Sequence, residues 1–261
     1  MSDFFKEKLK PQLETNLIGK EIVYLDETDS TNALAKREKD YPNGTVFVAG
    51  KQTQGRGRSG RVWQSDDDKA LYMSILLKPD ISPQKISSIT LVFGLAVFNA
   101  LKGYTDVGIK WPNDIILDKR KLAGILCEMS ANEEKVDYVV LGVGVNVNNE
   151  SFPDEINKIA TSLKIQNGKD YELTEIAAEI LNEFDLLYEE YLSKGLNDIL
   201  TMYKNNCITL LKNVKVIMNN QEADAYALDV TEDGGLLVRI NGEEKVIVSG
   251  EASIRGIIGY A

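Results

Sequence analysis

Short apolar runs alternate along the chain with charged or glycine-rich stretches, and the spacing of the apolar residues says which elements they form. "GTVFVAG" (44–50) and "ALYMSILLK" (70–78) are compact apolar runs that predict buried strands. Beyond Ser82, the residues Ile86, Ile89, Phe93, Leu95, Val97 and Leu101 recur at helical spacing, which predicts a helix ending near Gly103. Ser30, Thr31 and Asn32 are cap-forming residues placed just before Ala33, Leu34 and Ala35, so a further helix is expected to start there with an N-cap. "GIKW", "DIILD", "KLAGILCEM" and "DYVVLGVGVNV" follow one another closely, with a turn expected through Lys119 and Arg120. Strands that close together form hairpins, which argues for a mixed or antiparallel sheet and against a run of βαβ units. Ile176, Ile180, Phe184, Leu187 and Tyr191 then mark one stripe of a long amphipathic helix.

After about Asn205 the texture changes. "VKVIM", "EADAYALDV", "GLLVRI" and "KVIV" are short strand-like runs separated by "NNQ", "TEDGG" and "NGE", the residues of tight turns. They predict a small β-barrel appended to the α/β part, with residues 1–205 as one domain and 206–261 as the second. No internal repeat or low-complexity tract interrupts either part.

Composition narrows the chemistry. The 261 residues are 43% hydrophobic and 27% charged, the balance of a soluble globular chain with a sizeable core. No apolar run is long enough to span a bilayer, and "MSDFFKEKLKPQLETN" has no signal-peptide core, so a cytoplasmic location is expected. Cys127 and Cys207 are far apart and expected to be reduced. There is no histidine. That removes Ser–His and Cys–His nucleophiles, the usual general base and most zinc sites, so no metal site is expected in the protein itself.

The net charge of −10 disfavours nucleic acid and acidic membranes as partners. Against this background "KQTQGRGRSGRVW" (51–63) carries Lys51, Arg56, Arg58 and Arg61 with no acid. Its Gly55-x-Gly57-x-x-Gly60 spacing matches a dinucleotide-binding fingerprint. The polar, acidic "RVWQSDDDKA" that follows, however, does not open a helix as that fingerprint requires. A glycine loop with forked cationic donors suits a small anion instead, with Arg side chains meeting phosphate or carboxylate. A solvated arginine hairpin is the plainer reading of the same stretch. Nucleic-acid binding fits the arginines but lacks basic residues interleaved with aromatics elsewhere.

"STN", "QTQGRGRSGRVW", "KWPNDIILDKRKLAGILCEM", "GVGVNV" and "SGEASIRG" occur in an order and spacing that resemble the biotin–protein ligases, and together they span most of the chain. The resemblance implies an α/β (α+β) fold: a mixed, largely antiparallel sheet flanked by helices, like the class II aminoacyl-tRNA synthetases, with a small C-terminal SH3-like β-barrel. It implies that Ser30, Thr31, Asn32 and Gln52 hold biotin's ureido ring. Gly55, Arg56, Gly57 and Arg58 would close over the ligand, and Lys121 would reach both the biotin carboxylate and the α-phosphate. Lys110, Trp111, Asn113, Asp114, Asn146 and Arg255 fall on the nucleotide side, together with Arg56, Arg58 and Lys121. Arg56, Arg58 and Lys121 are the expected catalytic residues. For Trp63 a core anchor is expected ahead of direct stacking, and Trp111–Pro112 reads equally as structural.

The implied activity uses ATP with Mg²⁺ to make biotinyl-5′-AMP, then moves biotin to a lysine of a biotin carboxyl carrier domain; a homodimer is compatible with the family. About twenty-five residues precede "DETDSTN", too few for the DNA-binding domain of bifunctional relatives, so a monofunctional ligase is expected. A lipoate–protein ligase shares the two-step logic, but its relatives carry a histidine-containing glycine motif. A non-catalytic biotin sensor is the alternative from another class; Lys121 together with "GRGRSGR" argues for turnover.

Overall fold

The computed structural model describes residues 2–65, 68–132, 135–218, 221–248 and 253–256, with the backbone alone for Ser2, Asp3, Ser59, Gln84, Ser253 and Arg255. Its elements are α1 (Ser2–Leu9), β1 (Ile22–Thr28), α2 (Thr31–Arg37), β2 (Thr45–Gln52), β3 (Leu71–Leu77), α3 (Ile86–Leu101), β4 (Val107–Lys110), β5 (Asp114–Leu117), β6 (Arg120–Ala131) and β7 (Val136–Val145), then α4 (Leu163–Asn167), α5 (Leu173–Lys194), α6 (Asn197–Asn205), β8 (Asn213–Met218), β9 (Gln221–Val230), β10 (Leu236–Ile240), β11 (Glu243–Ile247) and β12 (Ser253–Gly256).

Seven strands form the main sheet in the order β1-β2-β3-β7-β6-β5-β4. β1 pairs with β2 in parallel and the other neighbours are antiparallel, so the mixed sheet expected from the closely spaced strands is present. The β5–β6 hairpin turns on Asp118 and Lys119, both left-handed (φ 48° and 60°), one residue earlier than expected. Two consecutive left-handed residues match the right-handed twist of the strands they join. Asn241–Gly242 does the same between β10 and β11. The "NNQ" turn falls on Asn219 and Asn220, outside the described residues.

β7 shows why the sheet has a core face and a cavity face. Val143 and Val145 are buried in the core, while Gly142 and Gly144 point the other way and leave bare backbone. α3, apolar nearly all round, is buried between the sheet and α5, where Phe93 meets Phe184 edge-on at 4.9 Å. α5 buries the stripe read from the sequence, Ile176, Ile180, Phe184, Leu187 and Tyr191. β8–β12 form a five-stranded antiparallel sheet in the order β11-β10-β9-β8-β12. Its Val214, Val216, Ala227 and Val238 join the same continuous core. The chain leaving α6 lies along β4 on the way: the Ile109 N–H donates to Asn206 O (2.9 Å), and the Ile208 N–H donates to Ile109 O (2.8 Å). Among the described residues no helix is long and apolar enough to cross a membrane.

One buried polar contact fixes the segment before β1. Asp185 of α5 is 5% exposed and accepts the N–H groups of Asn16 (2.6 Å), Leu17 (3.0 Å) and Ile18 (2.8 Å). Asp185→Ala orphans these donors together, and roughly 3 kcal/mol of stability should be lost. A urea titration reads this as a lower midpoint at unchanged slope. An unchanged midpoint would mean the segment is held by other contacts.

Candidate active site

A cavity of about 370 Å³ opens on the glycine face of the sheet, between α2, the 55–63 loop, the "KWPND" turn and the 152–160 segment. Most of the residues singled out in the sequence meet here. Ser30, Thr31, Asn32, Gln52, Arg56, Gly57, Arg58, Lys110, Trp111, Asn113, Asp114, Lys121 and Asn146 all line it.

Its floor is made by absence of side chains. Gly124 and Gly144 face each other across the β6–β7 pair, with Gly142 two residues on. A Cβ on Gly144 would lie 2.5 Å from the Trp63 ring, one on Gly124 2.9 Å from it, and one on Gly142 would collide with Asn32 Oδ1. Trp63 therefore lies across the glycine floor and lines the cavity, instead of anchoring the loop in the core as expected. The reason is local: the loop is a miniature hairpin, and it carries Trp63 back over the sheet. The Trp63 N–H donates to Gly55 O (2.9 Å), the Gly57 N–H to Arg61 O (2.7 Å), and Arg56 pairs with Val62.

Gly55 is not among the lining residues. A Cβ there would strike Ser65 Oγ and the Trp63 carbonyl, so its glycine serves the close crossing of the hairpin base. Arg58 fastens the loop tip to the opposite wall: its Nη1 donates to Asn113 Oδ1 (3.0 Å), and Asn113 Nδ2 donates to Ile125 O (2.6 Å). Val62 is 82% exposed at the rim, so the outer strand of the hairpin stands off the body.

At one end the cavity offers neutral hydrogen-bonding groups. Gln52 Oε1 accepts the Thr31 N–H (2.8 Å) and faces Thr31 Oγ1 (3.3 Å), which leaves the amide nitrogen as the group Gln52 can present. Ser74 Oγ stands 2.7 Å from both Thr31 Oγ1 and Asn32 Oδ1. Ser30 takes the extended backbone of an N-cap (φ −162°, ψ 138°), but its side chain makes no capping bond; its N–H donates to Asp29 Oδ1 (2.8 Å) instead. Arg37 clasps the Asp29 carboxylate, its two terminal nitrogens donating at 2.7 and 2.9 Å, and this hydrogen bonding holds the carboxyl far below its usual range.

The other end is cationic. Lys121 Nζ lies 2.6 Å from Asp114 Oδ1 and 5.1 Å above the Trp63 ring. Its backbone is gripped from both sides: the Lys121 N–H donates to Ile159 O (2.7 Å) and the Thr161 N–H donates to Lys121 O (3.0 Å). A register shift between Ile115 and Ile116 places Lys121 opposite Ile116, next to Asp114. Lys110 is 5% exposed at the end of β4 and lines the same wall.

Trp111 is 1% exposed and precedes a cis peptide to Pro112; its indole N–H donates to Gly234 O (3.1 Å), tying the main sheet to the second one. Asn146 Nδ2 donates to Thr161 O (3.0 Å), which ties the 159–163 segment to β7. Arg255 sits in β12 opposite Lys215, beside the lining residue Ile254; its side chain lies outside the described residues.

Sequence reasoning missed several members. Phe152, Ile156 and Ile159 form an apolar rim, and Arg61 adds a cation. "GRGRSGR" could have pointed to Arg61, but no periodicity marks 152–159. Ser74 sits in a strand that reads as wholly apolar, so nothing flagged it.

Comparison with known proteins identifies the family. The biotin/lipoate A/B protein ligase family model matches residues 24–146, and the biotin protein ligase C-terminal domain model matches 211–255. The bifunctional ligase/repressor BirA of Bacillus spizizenii is 35% identical over 248 residues, covering 93% of this chain and 76% of its own length. The biotin–[acetyl-CoA-carboxylase] ligase of Mycobacterium tuberculosis is 29% identical over 266 residues, covering 94% and 97%. The solved biotin protein ligase from Aquifex aeolicus in complex with biotin and ATP superposes with a TM-score of 0.79 at 32% identity, over 91% of this chain and 99% of that one. A relative 35% identical over 93% of this chain, with a solved ligase 32% identical over 91% of it, shows that the chain belongs to the biotin protein ligase family.

Proposed function

We propose that the protein activates biotin with ATP and transfers it to a lysine of a biotin carboxyl carrier domain. The observation that carries this reading is the polarity of the cavity: one end offers neutral donors and acceptors (Ser30, Thr31, Asn32, Gln52), the other offers cations held beside the "KWPND" turn (Arg58, Lys110, Lys121), and Arg56 adds a charge from the loop. That pattern suits a ligand with a neutral polar ring and an acid tail that must meet a polyphosphate. The similarity to an enzyme solved with biotin and ATP supports it.

In the first step a carboxylate oxygen of biotin attacks the α-phosphorus, and the bond to the β-phosphate breaks to release pyrophosphate. Repulsion between the carboxylate and the triphosphate is the main obstacle. A cation about 4 Å from a developing charge contributes roughly 4 kcal/mol at an effective dielectric near 20. Lys121 has three ammonium donors, so it can keep Asp114 and still offer hydrogen bonds to both reactants. Arg56 and Arg58 add forked donors from the loop. In the second step the carrier lysine attacks the acyl carbon and AMP leaves.

No protein nucleophile is required, in keeping with a histidine-free chain. Mg²⁺ belongs to the nucleotide substrate in this reading. Among the described residues no cluster of three or more His, Cys, Asp or Glu stands ready for a metal, and Asp114 is the carboxylate lining the cavity.

The test is incubation with biotin, Mg-ATP and a carrier domain, followed by intact mass. A gain of one biotinyl group that requires ATP is expected; an unmodified carrier with an active reference ligase present as control would defeat the reading. The loop has a separate expectation. The mixed anhydride hydrolyses readily, so the hairpin must shield it. Arg58→Gly removes the tie to Asn113 and should still form adenylate while shedding it roughly tenfold faster, the worth of one hydrogen bond to a charged group. A chase experiment on retained adenylate reads the rate, and unchanged retention would remove Arg58 from that role.

A further inference from the structure

Behind the neutral end of the cavity stands a charged pair that the proposed reaction does not use. Glu128 of β6 is not among the lining residues, yet Asn32 Nδ2 donates to its Oε2 (2.9 Å) as well as to Leu126 O (3.2 Å). Lys36, one turn along α2, donates to Glu128 Oε1 (2.6 Å). Burial pushes the Glu128 carboxyl up, but hydrogen bonds from Lys36 and Asn32 and the nearby Arg56 charge outweigh it and hold the group below its usual range. The carboxylate is thus an acceptor with no proton to give.

We propose that Glu128 is a positioning residue that sets the donor and acceptor polarity of the ring-binding end of the cavity, acting through Asn32. An ionised carboxylate can only accept, so Asn32 must turn its NH₂ toward Glu128. Its Oδ1 is thereby fixed toward Ser74 and the bare backbone of Gly142. The order continues along the network. The Ser74 hydroxyl, 2.7 Å away, has one proton to share between Asn32 Oδ1 and Thr31 Oγ1. Thr31 in turn holds Gln52 by its Oε1. The Glu128 charge, at the shorter of the two bonds from Asn32 Nδ2 and with the Leu126 carbonyl beside it, therefore sets which edge of Asn32 faces a ureido ring, with donors from Gln52 and acceptors from Asn32. Lys36 neutralises that charge from the far side, and its own side chain is not part of the lining.

This inference rests on the biotin-ligase reading, and the experiment separates the two. Wild-type protein is first shown to bind biotin by calorimetry and to form adenylate with Mg-ATP; failure there would count against the reading itself. With that established, Glu128→Leu should raise the biotin dissociation constant roughly 10- to 100-fold, the worth of a charged hydrogen bond that orders a site. The rate at saturating biotin should stay near wild type, because no reacting atom is touched. Lys36→Met, which leaves Glu128 in place, should change biotin affinity far less.

The decisive variant pair swaps the two ends of the bond. Asn32→Asp sets a second acceptor against Glu128 and should lose affinity to a similar extent. Asn32→Asp combined with Glu128→Gln restores a donor facing an acceptor, keeps the net charge, and leaves Lys36 a carboxylate on its own helix at i,i+4 spacing. The double variant should bind biotin more tightly than Asn32→Asp alone, and that comparison stands even if Glu128→Leu does not fold. Wild-type affinity in Glu128→Leu, or a double variant no better than Asn32→Asp, would overturn the proposal.

Discussion

Lys121→Ala is expected to lower biotin-dependent pyrophosphate exchange by about 10²–10³-fold, the loss seen when one preorganised donor to a developing anion is removed. Lys121 is placed for this. It projects over the glycine floor with its backbone clamped between Ile159 and Thr161, so its ammonium is held over the cavity, where the proposed reaction brings the two anions together. The variant also leaves Asp114, whose side chain is 11% exposed, without the cation 2.6 Å away. Lys121→Gln is therefore the companion, because its amide can still hydrogen-bond Asp114 while offering no charge to the phosphate. Both variants should melt cooperatively and both should lose exchange. Near-wild-type exchange in either would take Lys121 out of the chemistry.

Gly142→Val should reduce biotin affinity by about 100-fold, in line with the roughly 3 kcal/mol that overpacking can cost a close-packed site. The position has ordinary strand backbone, and valine favours a strand, so β7 itself should hold. The new Cβ is the problem, because it falls on Asn32 Oδ1 and would push that amide out of its bonds to Glu128 and Leu126. Calorimetry with biotin reads the effect, and the thermal midpoint shows that the fold survives. A variant that binds biotin as the wild type does would mean the floor at Gly142 is not where the ligand lies.

Much of this was legible in the sequence, and the rest was hidden for physical reasons. Compact apolar runs gave β2, β3 and the β5–β6–β7 hairpins, because each buries a face that must read as apolar. β1, "IVYLDET", escaped because it is an edge strand whose second half is exposed and acidic. α1 and α6 escaped because helices of eight and nine residues are too short for their apolar spacing to stand out. The motif residues converge on one cavity, with two lessons in the exceptions. Trp63 reads as a core anchor for the loop, but the hairpin crossing at Gly55 turns it onto the floor. Gly55 reads from the motif as a ligand-facing glycine, and the structure adds a packing reason for it, the close crossing where the hairpin closes on Ser65. Glu128 and Ser74 were invisible because their partners lie 96 and 43 residues away, and only the strand register brings them together.

The central claim is that one cavity seats an acid tail and a triphosphate together, with Arg56, Arg58 and Lys121 offsetting their repulsion. A crystal structure with biotin and a non-hydrolysable ATP analogue measures it most directly. The expected result places the biotin carboxylate and the α-phosphate each about 3 Å from Lys121 Nζ, a hydrogen-bond distance, with the ring against Asn32 and Gln52. Both ligands seated away from the 56–58 loop and Lys121 would contradict it.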